Sequence, residues 1–131
     1  MNIILDLDQN DYLYNLTSET DVFGELIDCF RICMEDENAY AGNGMGIYDN
    51  QDPLPVFREF LDLAEKRERI LPTWWNQEKR GLRERMAGSD AWYNINCAVG
   101  KSDIVEHYKE GMKPAKLRIL GEKIYGRGFT M

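Results

Sequence analysis

The sequence predicts a mainly α-helical fold: a compact single domain of about five helices over residues 1–131, with a short extended N-terminal segment and a glycine-rich loop or small hairpin. Apolar residues recur at helical spacing in several stretches, and capping residues, prolines and glycines mark where those stretches begin and end. The chain has 131 residues, 44% hydrophobic and 30% charged, which suits one domain with a sizeable core.

The N-terminal part of the chain predicts three elements. Residues 3–8 are apolar and then acidic and read as the short extended segment. A helix is expected from about Glu19 to Glu37, because Ser18 is a good N-cap and a broad apolar face follows it. The loop or small hairpin is expected over residues 41–48, which contain an Asn-Gly pair typical of tight turns.

The next stretch, residues 52–75, is expected to organise the fold. Asp52 and Pro53 are typical of the start of a helix, and Pro72 prevents a helix from continuing toward the adjacent Trp74 and Trp75. Each indole can bury roughly 150–250 Å², so the rest of the chain is expected to pack on this corner. The predicted core contains Phe57, Phe60, Leu61 and at least one of Trp74 and Trp75.

Three further helices are predicted in the second half of the chain. One runs from about Gln77 to Ala87 after the N-cap Asn76, and a short one runs from Asp103 to Lys109 after Ser102. The last begins at Pro114 and stops at Gly126. The mostly apolar residues 91–99 are expected to be buried without a clear secondary structure.

The formal charge is divided between the two halves of the chain. Residues 1–63 contain 14 acidic and 2 basic side chains, whereas residues 64–131 contain 9 acidic and 14 basic ones. Such a division can attract a partner or another copy of the chain, or the two halves can face each other within the fold. We expect a salt-sensitive association with a protein partner or with a second copy. The residues expected to carry binding are Trp74, Trp75, Lys79, Arg80, Arg83 and Arg85.

Other classes of partner are disfavoured. The basic half interleaves acidic side chains with its cations and the acidic half would repel phosphates, so nucleic acid is not expected. No apolar run approaches the ~20 residues that span a bilayer. An odd number of cysteines (three) and the lack of a secretory signal predict reduced thiols and a cytoplasmic or nuclear protein.

No metal or cofactor is expected. Cys29 and Cys33 lie one helical turn apart, and with Cys97 and His107 they are the only candidate zinc ligands of the cysteine and histidine type in the chain. They lack the short Cys-x-x-Cys spacing of structural zinc sites, so buried free thiols are the favoured interpretation.

One group of residues suggests acid–base chemistry. Asp103 and His107 are four apart and share a face of the predicted short helix, and an imidazole can exchange protons near neutral pH. The competing interpretation is a partly exposed histidine at a helix end, because a general base needs a positioned partner. The candidate catalytic residues are Asp103, Glu106, His107 and Tyr108.

Three groups of motifs resemble a known family. They are Asp52-Pro53-Leu54, the Leu71-Pro72-Thr73-Trp74-Trp75-Asn76 run, and Lys101-Ser102-Asp103 followed by Glu106-His107-Tyr108. In this order they look like the region that follows the zinc finger in a family of fungal MYND-type zinc-finger proteins, over about residues 12–128 of this chain. The finger itself needs more cysteines than the three present, so no zinc role is carried over.

The resemblance implies the companion domain alone. It suggests a protein-interaction or regulatory module without catalytic chemistry of its own. The alternative is a small enzyme or small-molecule-binding protein of a fungal biosynthetic pathway that uses Asp103, His107 and Tyr108. A deep cavity lined by His107, Tyr108 and an indole would favour the alternative.

Overall fold

The computed structural model describes residues 18–36, 52–67, 70–89 and 92–126. These ranges are 70% helical, with five α-helices and no strand, so the predicted mainly helical fold is confirmed. The helices are α1 (Glu19–Asp36), α2 (Pro53–Lys66), α3 (Gln77–Met86), α4 (Lys101–Tyr108) and α5 (Lys113–Tyr125). The expected extended segment at 3–8 and the glycine-rich loop at 41–48 lie outside the described residues.

Helix α1 forms the centre of the fold. It begins as predicted, with the Ser18 hydroxyl accepting a hydrogen bond from the Asp21 backbone N–H at 3.3 Å. Every residue from Val22 to Met34 is buried, including charged ones, so neighbours cover this helix on all sides. The expectation that the chain packs mainly on the tryptophan corner is therefore wrong, because nearly all of α1 is buried whereas Trp74 and Trp75 are only partly buried.

The last helix packs more extensively on α1 than on any other helix, and it also contacts α2 and α4. The close approach of α1 and α5 depends on Gly121, where a methyl group would collide with the Cys33 sulfur. The predicted stop is confirmed at Gly126, which caps α5 with a φ of 79°. The last helix thus joins α1, α2 and α4.

Helix α2 supplies the aromatic part of the core. Its first turn is capped by the Asp52 carboxylate, which accepts from the Leu54 backbone N–H at 3.1 Å. Phe57 and Phe60 are buried against Phe30 of α1, with ring centroids 5.1 and 5.6 Å from it. These two phenylalanines and Leu61 are core residues as predicted.

The two tryptophans of the corner are half-buried and pack against the core. Trp75 stacks on Phe23 of α1 at 4.9 Å and donates its indole N–H to Glu65 at 2.8 Å. The hydrogen bond of Trp75 keeps its polar indole edge satisfied at the border of the core, as is common for such rings, whereas the Trp74 indole nitrogen is buried without a partner among the described residues. Both residues contribute to packing without being fully enclosed.

The remaining boundaries differ from the predictions by a few residues. Helix α3 starts after Asn76 as expected, whereas α4 starts after Gly100 rather than Ser102, because the Asp103 carboxylate accepts the Gly100 N–H at 2.8 Å. In the non-helical stretch before α4, Ile95 is buried but Cys97 is exposed, so the expectation that all of 91–99 is buried is wrong. No described helix is long and apolar enough to cross a bilayer.

Candidate functional sites

A buried carboxylate on α1 ties the second half of the chain to the central helix. Asp28 is fully buried and accepts hydrogen bonds from the Arg31 guanidinium at 2.8 Å, the Trp92 indole N–H at 2.9 Å, and the Tyr108 hydroxyl. Burial, together with the Asp28 charge, raises the pKa of Tyr108 well above its ordinary value. Tyr108 therefore stays a neutral donor directed into the protein, which argues against the catalytic role suggested for it.

The partner of this carboxylate, Arg31, holds the loop before α4. Its guanidinium donates to the backbone carbonyls of Asn94 at 3.3 Å and Cys97 at 3.2 Å, and lies 4.8 Å from the Trp92 ring centroid. A buried ion pair is tolerated only when its remaining donors and acceptors are also satisfied. Here those extra bonds fix the position of the loop and of the Trp92 indole.

A second buried ion pair lies beside the first. Lys113 at the start of α5 pairs with Glu25 of α1, and its ammonium lies 4.4 Å from the centroid of the Tyr108 ring. Burial raises the pKa of Glu25, although Lys113 acts in the opposite direction. The Tyr108 hydrogen bond to Asp28 and the Lys113–Glu25 pair together hold α4 and α5 against α1.

Above this network, Trp92 and α4 form an open concavity, here called the aromatic depression. It encloses about 400 Å³ and is lined by Trp92, Asp103, Glu106, His107 and Lys109. The imidazole of His107 stacks on the Trp92 indole with the centroids 3.8 Å apart and the planes inclined by 4°. The structure thus brings three of the four candidate catalytic residues together and places Tyr108 on the inner side.

The chemistry of His107 in this depression is limited by what surrounds it. The side chain is exposed and is held by ring contacts with Trp92, Tyr93 and Tyr108. No hydrogen bond joins its ring to another residue in the described ranges. A general base needs such a partner to fix its tautomer and direction, so the arrangement suits contact with a ligand better than proton transfer.

Arg80 of α3 is buried against α2. Only 7% of its surface is exposed, and it pairs with Asp62 at 2.8 Å, Glu65 at 2.9 Å and Glu84 at 2.6 Å. Burial alone would lower the pKa of Arg80, but the bonds to these three carboxylates raise it. The expectation that Arg80 is exposed is therefore wrong, because the acidic face of α2 neutralises it.

Glu84, the carboxylate that Arg80 shares with Arg58, has a lowered pKa. Arg58 donates to the second oxygen of Glu84 at 2.8 Å. Burial alone would raise the pKa of Glu84, but the hydrogen bonds from Arg80 and Arg58 lower it below its ordinary value. Glu84 is therefore held as a carboxylate between two cations.

Some cations of the second half meet carboxylates of the first half. Lys79 lies 3.0 Å from Glu19 and near the Trp74 ring, so it too is occupied within the chain. Four such pairs join the two halves. They are Lys79–Glu19, Arg80–Asp62, Lys113–Glu25 and Arg118–Asp36. Among the described residues, the charge division therefore serves internal contact more than the sequence prediction assumed.

Arg83 and Arg85 differ from the other predicted binding cations in the part of the chain that the structure describes. Neither Arg83 nor Arg85 forms an ion pair with a described carboxylate, and the Arg83 guanidinium lies 5.6 Å from the Phe23 ring centroid. On the same helix, Leu82 is 50% exposed and Met86 is 45% exposed. We call these four residues the α3 face.

A small apolar notch adjoins the α3 face where it meets α1. It encloses about 50 Å³. The lining residues are Thr20, Phe23, Gly24, Ile27, Arg83, Met86, Ala87 and Tyr93. Gly24 leaves room for Tyr93 there, because a methyl group at this position would lie 2.8 Å from the Tyr93 ring and the ring would have to shift. The sequence reasoning missed this notch; the pair Leu82 and Met86, one turn apart on an otherwise polar helix, was the available signal.

The candidate zinc ligands are not brought together. Cys29 and Cys33 are buried between α1 and α5, with the Cys29 thiol 3.3 Å from the Leu117 carbonyl, whereas Cys97 is exposed and His107 lies in the aromatic depression. Burial raises the pKa of Cys29 well above its ordinary value, which opposes the thiolate that a metal needs. No group of three or more potential ligands is found in the described part of the chain.

Comparison of the chain with protein-family models, with curated proteins and with solved structures finds no match. The resemblance to the companion domain of fungal MYND-type proteins therefore stays a prediction. Any function must be argued from the α3 face, the notch and the aromatic depression themselves.

Proposed function

We propose that this domain is a protein-interaction module that binds an acidic segment of a partner protein on the α3 face. The observation that carries the proposal is the combination of exposed apolar side chains, an adjoining apolar notch, and two guanidinium groups without carboxylate partners in the described structure. Elsewhere on α3, cations are neutralised within the chain, so these two stand out.

The layout of the α3 face follows from helical geometry. Successive residues are rotated by about 100° around a helix, so Leu82 and Met86 lie one above the other. Arg83 falls to one side of this apolar strip and Arg85 to the other. A partner segment laid along the strip would place apolar side chains on Leu82 and Met86 and carboxylates beside the two arginines.

The notch narrows the chemistry of the partner. A volume of about 50 Å³ is far below the roughly 300–1,000 Å³ of usual small-molecule pockets, but it can take the tip of one aliphatic side chain. Arg83 and Met86 line both the notch and the strip, so one segment can fill both. The occupant is therefore an acidic segment with at least one branched apolar side chain, such as leucine.

The enzyme alternative has less support. The aromatic depression gathers Asp103, Glu106 and His107, but the imidazole lacks an orienting hydrogen bond within the described ranges. Tyr108 is committed to Asp28 beneath it. An interaction module accounts for more of the exposed features.

The proposal is tested with fluorescent hexapeptides of the type Glu-Glu-Leu-Leu-Glu-Glu, measured by anisotropy. The parent should bind this peptide more tightly than the versions with Gly-Gly at the centre or Lys at the ends. Binding should weaken when salt rises from about 0.1 M to about 1 M, because the Debye length falls from ~10 to ~3 Å. The double reversal Arg83→Glu/Arg85→Glu should abolish binding.

The matched control reverses two exposed cations away from the α3 face, Lys66→Glu and Lys101→Glu, with the same change in net charge. After allowance for the general repulsion that its added negative charge exerts on an acidic peptide, this variant should bind the peptide with an affinity within about twofold of the parent. If the Arg83→Glu/Arg85→Glu variant bound the peptide as tightly as the parent, the proposal would be overturned. Equal loss in the control would also overturn it, because binding would then depend on net charge and not on this face.

A further inference from the structure

We infer that the aromatic depression is a second binding site, separate from the α3 face, which accepts a guanidinium group such as the side chain of an arginine in a partner. The inference does not depend on the function proposed for α3. It rests on the stacked rings of Trp92 and His107, on the carboxylates beside them, and on the way in which the rings are held from below.

The rings offer a flat, preformed surface. The imidazole of His107 is parallel to the Trp92 indole within 4°, and the rings of Tyr93 and Tyr108 are inclined to the imidazole by 84° and 85°. A planar guanidinium stacks well on aromatic faces, through cation–π attraction and because its faces are weakly hydrated. The side chain of His107 is exposed, so an incoming group can reach it.

The carboxylates supply acceptors for the edge of the guanidinium. Asp103 and Glu106 are three residues apart on α4, and therefore lie on neighbouring positions of one side of the helix. Glu106 is exposed and has no partner among the described residues, whereas Asp103 uses one oxygen to accept the Gly100 N–H. The lining carries two carboxylates and one cation, Lys109, so it has a net negative charge that one incoming cation neutralises.

The same features select a guanidinium over an ammonium group. The five N–H donors of a guanidinium lie in one plane and can bond to a carboxylate with two parallel hydrogen bonds while the face stacks on a ring. An ammonium is compact, more strongly hydrated and without a flat face. A surface that combines parallel rings with two carboxylates on the same helix fits the planar ion.

The surface is fixed before a ligand arrives. The Trp92 indole N–H is bonded to buried Asp28 at 2.9 Å, and Arg31 lies against the same ring. The neighbouring Tyr108 hydroxyl donates to the same carboxylate. A site whose side chains are already ordered loses less conformational entropy on binding. The depression of about 400 Å³ also lies within the usual size range of small-ligand sites.

The test is an NMR titration of the whole chain with N-acetyl-arginine amide. His107 is the single histidine, so its imidazole resonances report on this site without ambiguity. They should shift saturably with the arginine compound. N-acetyl-citrulline amide, which has nearly the same shape without the charge, and N-acetyl-lysine amide should each bind at least fivefold more weakly. Equal binding of either compound would overturn the inference.

Two variants locate the binding. Glu106→Gln should weaken the arginine compound at least threefold, whereas Glu59→Gln, an exposed carboxylate on α2, should leave its affinity unchanged. His107→Ala, followed through the Trp92 indole resonance, should also weaken binding. Unchanged affinity in both depression variants would refute the site. The Arg83→Glu/Arg85→Glu variant should bind the arginine compound like the parent, so the two proposals can fail separately.

Discussion

The clearest consequence of the buried network is that Asp28→Asn should unfold the protein at much lower urea. The substitution keeps the size of the side chain but removes its charge, and so leaves the Arg31 guanidinium buried without its counter-ion. It also replaces a carboxylate oxygen that accepts from Trp92 and Tyr108 by a group with weaker or reversed hydrogen bonding. Three contacts of Asp28 are weakened at once, and two of them join α1 to the second half of the chain.

The expected loss of stability differs between the two members of the ion pair, Asp28 and Arg31. Removing one member of a buried ion pair typically costs about 3–5 kcal/mol, a large fraction of the roughly 5–15 kcal/mol that holds a domain folded. Arg31→Met should cost less, about 1.5–3 kcal/mol, because the Asp28 carboxylate keeps the Trp92 and Tyr108 donors. The order of the two variants is therefore a more specific prediction than either value.

The assay is equilibrium urea unfolding at pH 7, followed by tryptophan fluorescence and circular dichroism. Glu59→Gln, an exposed carboxylate on α2, is the control and should change the free energy of unfolding by less than about 0.5 kcal/mol. An Asp28→Asn protein within about 1 kcal/mol of the parent would refute the reasoning. So would an Arg31→Met protein that is clearly less stable than Asp28→Asn.

Three further predictions concern other parts of the fold. Folding lowers the pKa of Glu84, so its carboxylate stabilises the protein fully above the ordinary pKa of about 4.3, and this stabilisation is lost as pH falls through the lowered value. Between about pH 5 and about pH 3, the free energy of unfolding should therefore decline less for Glu84→Gln than for the parent. An equal decline would contradict the lowered pKa. Gly121→Ala should lower the free energy of urea unfolding by about 1–3 kcal/mol in the parent, and by less in a Cys33→Ala protein, which lacks the sulfur that the new methyl group meets. Equal costs in the two proteins would contradict a collision with the sulfur. Trp75→Ala should cost about 3 kcal/mol, near the low end for indoles because the ring is half-buried, and an unchanged melting temperature would remove its packing role.

The parts of the fold that the sequence predicted well are those set by neighbours along the chain. Ser18, Asp52 and Asn76 each cap the helix that was assigned to them, through bonds to a backbone N–H two or three residues away. Gly126 ends α5 because it adopts a left-handed conformation without strain. Signals of this kind need no knowledge of tertiary contacts, so a single sequence suffices.

The central position of α1 in the fold could not be predicted from local signals of this kind. Its charged residues Glu25, Asp28 and Arg31 are of types that usually face solvent, and no local pattern marks them as buried. They are buried because their partners come from far along the chain: Trp92 and Tyr108 are 64 and 80 residues from Asp28, and Lys113 is 88 residues from Glu25. No local pattern reports a bond of that separation.

The exposure of the candidate interaction residues could not be predicted from sequence for the same reason. On α3, Arg80 and Glu84 are one turn apart and face α2, whose carboxylates complete the neutralisation of Arg80. Arg83 and Arg85 point in other directions and meet no described carboxylate. All three arginines look alike in a count of charge, so the sequence could predict a basic helix but not which cations remain available. The charge that a partner can recognise is what remains after the chain has paired its own groups, and for α3 this points to a pair of arginines on either side of an apolar strip.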